Sequence, residues 1–163
     1  MLNNRFKIKT ACSIASVDRQ QFNEAVSKGF YRCAPGTTQG STRVFDTFDL
    51  LALMIFGRLM RFGLSSKDAG QLACEAIGPM RECANRSNGS PEIFGKFPYL
   101  AILFGDMGSP WAMCCKNIDD VWECKSPGGG EIKSVMAFNI KAFLGLINAY
   151  VEYESNNPVF GED

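Results

Sequence analysis

The reactive side chains of this 163-residue chain are seven cysteines, and the chain contains no histidine. Soft thiolates bind zinc, copper(I) or mercury, which makes Cys83, Cys115 and Cys124 the candidate ligands of a metal site. No CxxC pair occurs, and Cys114 and Cys115 are adjacent on a predicted strand, so their side chains point to opposite faces. An odd cysteine count without a secretory signal argues against a disulfide scaffold. We therefore interpret the cysteines as mostly buried, reduced thiols and predict neither a metal site nor a cofactor.

Enzyme chemistry has little support in the sequence. Without histidine, histidine-based catalytic triads and histidine metal sites are excluded. Neither a GxGxxG nor a GxxxxGK(S/T) phosphate-binding loop occurs. The glycines at 128–130 precede a predicted helix and would allow anion binding at its N-terminus, but a flexible connector is the preferred interpretation. We predict that the chain is not an enzyme.

Side chains that can read nucleic-acid bases lie near the N-terminus. Residues 19–28 are predicted to form a helix that carries Arg19, Gln20 and Asn23 on its outer face. Arginine, glutamine and asparagine can each form two hydrogen bonds with base edges in the major groove of DNA. A short helix within residues 6–16 and a tight turn precede it, which predicts a helix–turn–helix. An ordinary polar helix face remains the alternative.

A hairpin with a polar tip is predicted next. Residues 30–33 and 42–45 are strand-like and flank a loop rich in glycine, threonine and serine. Hydroxyl groups, backbone amides and arginines suit contacts with a phosphate backbone. The candidates for such contacts, in the hairpin and at the end of the preceding helix, are Lys28, Arg32, Thr38, Thr42 and Arg43.

The strongest helical pattern follows the hairpin, in residues 46–77. Asp46 is a good N-cap, and apolar residues recur behind it at helical spacing. Gly63 suits the left-handed conformation that ends a helix. A second helix is predicted over 67–77 after a serine cap, with Gly78–Pro79 as its stop.

The order of these elements resembles the winged helix-turn-helix domain of the MerR family of transcription regulators. The resemblance covers about residues 6–77 and is carried by Lys28–Arg32, Thr42–Leu50 and Arg61–Ala69. It implies that the second helix enters the major groove and that the hairpin, as the wing, contacts the flanking backbone. The chain departs from the family pattern in the recognition helix, which has a single arginine and one acid, and in the wing, which is poor in lysine. The resemblance implies a DNA-binding set of Arg19, Gln20, Asn23, Lys28, Arg32, Thr38, Thr42 and Arg43.

The balance of charges suits a polyanionic partner only in the N-terminal half. Residues 1–85 contain 11 Lys/Arg and 7 Asp/Glu, whereas residues 86–163 contain 6 and 10; ordinary surface variation is the alternative. No apolar run approaches the ~20 residues of a membrane helix. The N-terminus lacks the apolar core of a signal peptide. We expect an intracellular, cytoplasmic protein without membrane contact, associated with the nucleoid when it binds DNA.

The predicted fold class is α+β. We expect a winged helix-turn-helix domain at 1–80, a linker at 81–98 and a C-terminal dimerisation or regulatory region at 99–163. The long helix through which MerR proteins pair is absent from its usual place, because Asn85–Pro91 would break it. Any dimer contact must therefore lie elsewhere.

The C-terminal region is predicted to contain a strand, a hairpin and a long helix. The strand covers 99–104, the hairpin has arms at 111–115 and 121–125, and the helix covers 131–154. The apolar face of this helix is wide. Either it pairs with a second copy, with Phe143, Ile147 and Tyr150 at the centre, or it closes the core of the region.

Two functions from different classes remain. The first is a sequence-specific, MerR-like regulator that binds double-stranded DNA as a homodimer through the helix Arg19–Lys28 and the wing Arg32–Arg43. The second is a non-enzymatic protein–protein module, an adaptor or inhibitor on a winged-helix scaffold. A steep salt dependence of duplex binding would distinguish the first from the second.

Overall fold

The computed structural model describes residues 4–37, 41–88, 93–106, 108–125 and 129–156 and has an α+β fold. The elements are β1 (Phe6–Lys7), α1 (Ile8–Ala15), α2 (Arg19–Ser27), β2 (Val44–Phe45), α3 (Thr47–Arg61), α4 (Ser66–Asn85), α5 (Ile93–Lys96), β3 (Tyr99–Gly105), β4 (Trp111–Cys115), a 3-10 helix (Asp119–Glu123), β5 (Ile132–Asn139) and α6 (Ile140–Asn156). Within the described residues, no helix is long and apolar enough to cross a membrane.

Helix α3 is the centre of the molecule, and its ends are fixed by local signals. The side chain of Asp46 accepts a hydrogen bond from the backbone of Asp49 at 2.8 Å, and the Asp49 carboxylate accepts one from the Asp46 backbone at 3.0 Å. This reciprocal cap satisfies two N–H groups that a helix start leaves unpaired. The chain turns away after Arg61 through Gly63, which has a positive φ of 90°. The predicted start and end of this helix are confirmed.

Helix α4 continues well past its predicted stop. It begins after Ser65, whose hydroxyl accepts a hydrogen bond from the Asp68 backbone at 3.1 Å, and runs through Pro79 to Asn85. A proline inside a helix costs ~3 kcal/mol. Burial of a large apolar side chain stabilises the folded state by ~1.5–3 kcal/mol, and the turns after the proline bury such side chains. The prediction that this helix ends at Ile77 is therefore wrong, because burial of Met80, Cys83 and Ala84 outweighs the break.

The predicted linker is partly helical, since α4 covers its first residues and α5 lies near its end. Side chains on both sides of it, from Phe6 to Ile147, belong to one continuous hydrophobic cluster. The division of the chain into two domains stays a prediction, and the described residues of both parts pack in a shared core.

The prediction of a hairpin over residues 30–45 is wrong in its pairing. Residues 30–33 form turns, and β2 pairs with β1 in an antiparallel register that places Phe45 opposite Phe6. The turn is fixed to α4 instead, because Cys33 and Cys74 form a disulfide. Gly70 allows this close approach, since a Cβ there would lie 2.4 Å from the carbonyl oxygen of Phe30.

A three-stranded antiparallel sheet, in the order β4-β3-β5, forms the other layer. The strand predicted at 99–104 is confirmed as β3. The predicted second hairpin is wrong, because β4 pairs with β3 and residues 121–123 belong to the 3-10 helix. Successive residues of β3 face opposite sides: Leu100 joins the main core, whereas Ala101 joins a smaller cluster on the other face.

The predicted helix at 131–154 is wrong in its first third, where β5 pairs with β3 from Ile132 to Asn139. Helix α6 begins only afterwards. The side chain of Asn139 accepts a hydrogen bond from the Ala142 backbone at 2.9 Å and caps it. The backbone N–H of Ile140 donates to the carbonyl of Pro98 at 2.8 Å. A long ladder of strand pairing therefore overrides the helical spacing of apolar residues.

Candidate nucleic-acid interface

Helix α2 is held by one face and leaves the other open. Phe22 and Ala25 are buried, and the Phe22 ring packs against the rings of Tyr31 at 5.2 Å and Phe45 at 5.7 Å between centroids. Aromatic contacts of this kind add ~0.5–1.5 kcal/mol each beyond burial. The inner face thus fixes both the position and the rotation of the helix.

The turn between α1 and α2 is packed against α3, which makes the orientation of α2 rigid. Ser16 adopts a left-handed conformation with φ of 52°, and Val17 is buried beside Gly57 of α3. A Cβ at Gly57 would lie 2.7 Å from the Val17 side chain and 3.0 Å from the Ala15 carbonyl oxygen. A side chain at position 57 would therefore push the helix pair away. Sequence reasoning missed Gly57, because nothing local marks a glycine that faces another helix.

The outer face of α2 presents the predicted base-reading residues. Arg19, Gln20 and Asn23 are all exposed on one side of the helix, as predicted. The side-chain amide of Gln20 donates to the Glu24 carboxylate at 3.3 Å. Lys28 lies 3.8 Å from the same carboxylate, and both side chains are largely exposed. Exposed pairs at this spacing contribute only ~0.3–0.5 kcal/mol, so they open readily for an external partner.

Lys28 and Arg32 lie together at the C-terminal end of α2. Gly29, with φ of 70°, ends the helix, and the Nε of Arg32 donates to the Gly29 carbonyl oxygen at 3.1 Å. Lys28 and Arg32 border a cavity of about 460 Å³. Lys67 of α4 adds a third cation to its wall, which sequence reasoning missed because the contact arises only when α4 packs on this turn. The cavity is lined by Lys28, Gly29, Phe30, Arg32, Lys67, Gln71, Cys74 and Glu75.

The described wing residues Thr42 and Arg43 differ in their surroundings. Arg43 is half-buried, and its guanidinium donates to the carbonyl oxygen of Pro35. Through this hydrogen bond the Arg43 side chain contacts its own loop. A phosphate contact by Arg43 stays a prediction. Thr42 is exposed. Thr38 lies outside the described residues.

The three candidate metal ligands are not brought together. Cys83 and Cys114 border a cleft of about 160 Å³ beside Pro79, whereas Cys115 and Cys124 belong to the smaller cluster on the opposite face of the sheet. Burial raises the pKa of Cys83 and of Cys114, which keeps these thiols protonated. In the described part of the chain, no three cysteine, aspartate or glutamate side chains converge on one point. The expectation that the cysteines are reduced is wrong for Cys33 and Cys74.

Two of the three proposed dimerisation residues lie in the core. Phe143 is 8% exposed and Ile147 1%, since α6 packs its apolar face against α1, α3 and β3. The guanidinium carbon of Arg58 lies 6.0 Å from the centroid of the Phe143 ring. Tyr150 is half-buried and borders a pocket with Asn4, Arg5 and Thr10. The alternative interpretation of this helix face, as core, is the one that agrees with the structure.

Comparison of the sequence with models of protein families gives no match, and no curated protein is significantly similar to it.

Proposed function

We propose that this chain is a sequence-specific DNA-binding regulator of MerR-like type, with α2 inserted into the major groove. The single observation that carries the proposal is the two-sidedness of α2. One face is fixed by aromatic packing, and the opposite face exposes Arg19, Gln20 and Asn23. These are side-chain types that recognise guanine and adenine by paired hydrogen bonds.

Rigid placement is what makes such a face useful for recognition. Base reading requires several side chains to be presented together, and a loose helix would lose conformational entropy on binding. The buried Val17 turn and the Phe22 ring contacts hold α2 before any partner arrives. In this proposal Lys28 and Arg32 contact phosphates at the end of the helix and fix its register on the duplex.

Selection of bound sequences from random duplexes tests this function. We expect one preferred site, and we expect Arg19→Ala or Asn23→Ala to weaken binding to it by about 1–3 kcal/mol while binding to random DNA changes little. Arg86→Ala is the matched control, because Arg86 is exposed at the far end of α4. Equal losses on selected and random duplexes would show that α2 does not read bases.

A second candidate is a protein–protein module on the same scaffold. The observation that favours it is Glu24, which lies on the outer face of α2 and partners both Gln20 and Lys28. An acid at the centre of the face weakens attraction to phosphate. Binding to duplexes that is weak and nearly independent of salt would favour this candidate over the first.

A homodimer belongs to the proposal, since helix-turn-helix regulators commonly bind two half-sites. Phe143 and Ile147 are buried, so the contact must use another surface. Leu146 and Tyr153 of α6 are 52% and 63% exposed, and we propose that Leu146 forms part of that surface. Light scattering over a range of protein concentrations would show the assembly, and a monomer at micromolar concentration that also stays monomeric on DNA would end the dimer part of the proposal.

A further inference from the structure

The cavity beside the C-terminal end of α2 has an accessible disulfide in its wall. It measures about 460 Å³ and lies between the turn that follows α2 and the outer side of α4. Cys74 lines it, and Cys74 is bonded to Cys33. Both cysteines are only half-buried, so solvent molecules can reach this part of the chain.

The cavity wall is positively charged. Lys28, Arg32 and Lys67 oppose the single carboxylate of Glu75, which leaves a net charge of +2. Within the described part of the chain, Arg32 and Lys67 form no ion pair, and the pair of Lys28 with Glu24 is long and exposed. The half-buried Phe30 ring provides an apolar side. A small organic anion fits this combination of volume, charge and apolar surface.

We propose that this cavity is a docking site for a low-molecular-weight anionic thiol of the glutathione class, which exchanges with the Cys33–Cys74 disulfide. Three features meet here: a volume that can hold part of a tripeptide, cations that attract carboxylates, and a sulfur that a thiolate can attack. Positive charge also stabilises the cysteine thiolate that leaves in such an exchange. The proposal does not require DNA binding, although it shares Lys28 and Arg32 with the proposed phosphate contacts.

The exchange is balanced without a metal or another oxidant. The thiolate of the small molecule attacks the Sγ of Cys74 and forms a mixed disulfide, while the Cys33–Cys74 bond breaks and Cys33 leaves as a thiolate that takes up a proton. A second small thiolate attacks the small-molecule sulfur of the mixed disulfide and releases Cys74. In total, two small thiols are oxidised to their disulfide and the protein disulfide is reduced to two thiols.

The rate of disulfide opening in the full chain, followed by alkylation and mass spectrometry, tests the docking site. Glutathione, an anionic thiol, is compared with cysteamine, a cationic one, after each rate is normalised to its thiolate concentration. We expect glutathione to react faster, on the order of tenfold at low ionic strength, with the preference shrinking as salt is added.

Two charge-reversal variants test whether the preference for glutathione arises in the cavity. Lys67→Glu should remove most of the preference for glutathione, whereas Lys96→Glu, at an exposed lysine outside the cavity, should leave it unchanged. A preference that is absent in the wild type, or that survives Lys67→Glu, would overturn the proposal. So would protein purified without reductant in which Cys33 and Cys74 are not bonded.

A trapping experiment gives a second, independent readout. In Cys33→Ser, the remaining Cys74 thiol should form a mixed disulfide with oxidised glutathione, which transfers one glutathione to Cys74 and releases the other as a thiol. The half-buried Cys124 serves as the internal reference, because it lies outside this cavity. Faster modification of Cys74 supports the docking site, and modification of Cys124 at an equal or greater rate contradicts it.

Discussion

Helices α4 and α6 are both long and both bury apolar side chains against the core that contains α3, but α4 also has covalent and ionic attachments. Helix α4 is attached by a disulfide through Cys74, by the close backbone contact at Gly70, and by Arg81, whose guanidinium lies 2.6 Å from Asp46 and 3.1 Å from Asp49. Helix α6 is attached by apolar burial of Phe143, Leu144 and Ile147.

The attachments of the two helices therefore respond to different changes in conditions or sequence. The attachment of α4 depends on redox state, because one of its links is a disulfide, and on salt and pH, because another is ionic. The attachment of α6 depends on apolar volume and on keeping charge out of the core. A reductant or added salt should therefore act directly on the attachment of α4, whereas a charge placed in the core acts directly on that of α6.

The largest expected effect comes from charge in the apolar attachment of α6. Phe143→Asp or Ile147→Asp should lower the free energy of unfolding by about 4 kcal/mol or more, because each buries an unpaired carboxylate. Ala149→Asp is the control, since Ala149 lies exposed on the same helix, and it should change the free energy of unfolding little. Circular dichroism measures the folding of each variant, and light scattering measures its oligomeric state. A folded monomer from Phe143→Asp would show that this face of α6 is not part of the core.

Loss of the disulfide should have the next largest effect. Cys33→Ser combined with Cys74→Ser should lower the free energy of unfolding by about 2–4 kcal/mol, because the bond closes a loop between cysteines 41 positions apart. Urea unfolding of the variant and of the wild type, with and without reductant, measures this. Cys124→Ser should behave like the wild type. A reductant that leaves the wild-type midpoint unchanged would show that the bond does not contribute.

The ionic attachment of α4 should contribute less. Arg81→Ala is expected to lower the free energy of unfolding by about 1–2 kcal/mol, because Arg81 is 42% exposed and solvent screens its two pairs. Burial raises the pKa of Asp49, and Arg81 counteracts that rise, so the variant should also titrate Asp49 at a higher pH. Arg86→Ala, in an exposed pair with Glu82, is the control and should leave the free energy of unfolding nearly unchanged.

The smallest effect is expected at Tyr31, between α2 and α3. Among the described residues its buried hydroxyl has no hydrogen-bond partner, so Tyr31→Phe should raise the free energy of unfolding by up to ~1 kcal/mol. Burial raises the pKa of Tyr31. The unfolded chain releases this proton near pH 10 while the folded chain retains it, so wild-type stability should fall above about pH 10.

Tyr31→Phe should remove part of that alkaline loss. Urea unfolding of the wild type and of the variant at pH 8 and at pH 10.5 gives the free energy of unfolding and its alkaline loss for each protein. A destabilised variant, or one with the full alkaline loss of the wild type, would show that the hydroxyl has a partner in solution.

The helical N-terminal part was predictable because its boundaries are set by neighbouring residues. Asp18, Asp46 and Ser65 each accept a hydrogen bond from a backbone N–H three residues on, and such caps can be recognised from the sequence. The exposed face of α2 followed from the same helical spacing, so Arg19, Gln20 and Asn23 were placed correctly on the surface.

The remaining parts depend on contacts between distant residues. Nothing near residues 132–139 shows that β3 will pair with them, and nothing near Cys33 identifies Cys74 as its partner. The extension of α4 beyond Pro79 also depends on partners elsewhere, since Arg81 pairs with the start of α3. Among the site residues, Lys67 was missed for this reason. The bond of Arg43 to Pro35 likewise has no sequence signature, and its phosphate contact stays a prediction.

The most direct test of the central claim, that the outer face of α2 binds duplex DNA, is a salt titration of the wild-type chain on a random duplex. Phosphate contacts give a linear fall of log affinity with log salt, by about 0.9 for each phosphate neutralised. With Lys28 and Arg32 at the backbone, we predict a slope steeper than about −1.5, which Lys28→Ala should reduce by about one unit. A slope near zero, or one that Lys28→Ala leaves unchanged, would contradict the proposal.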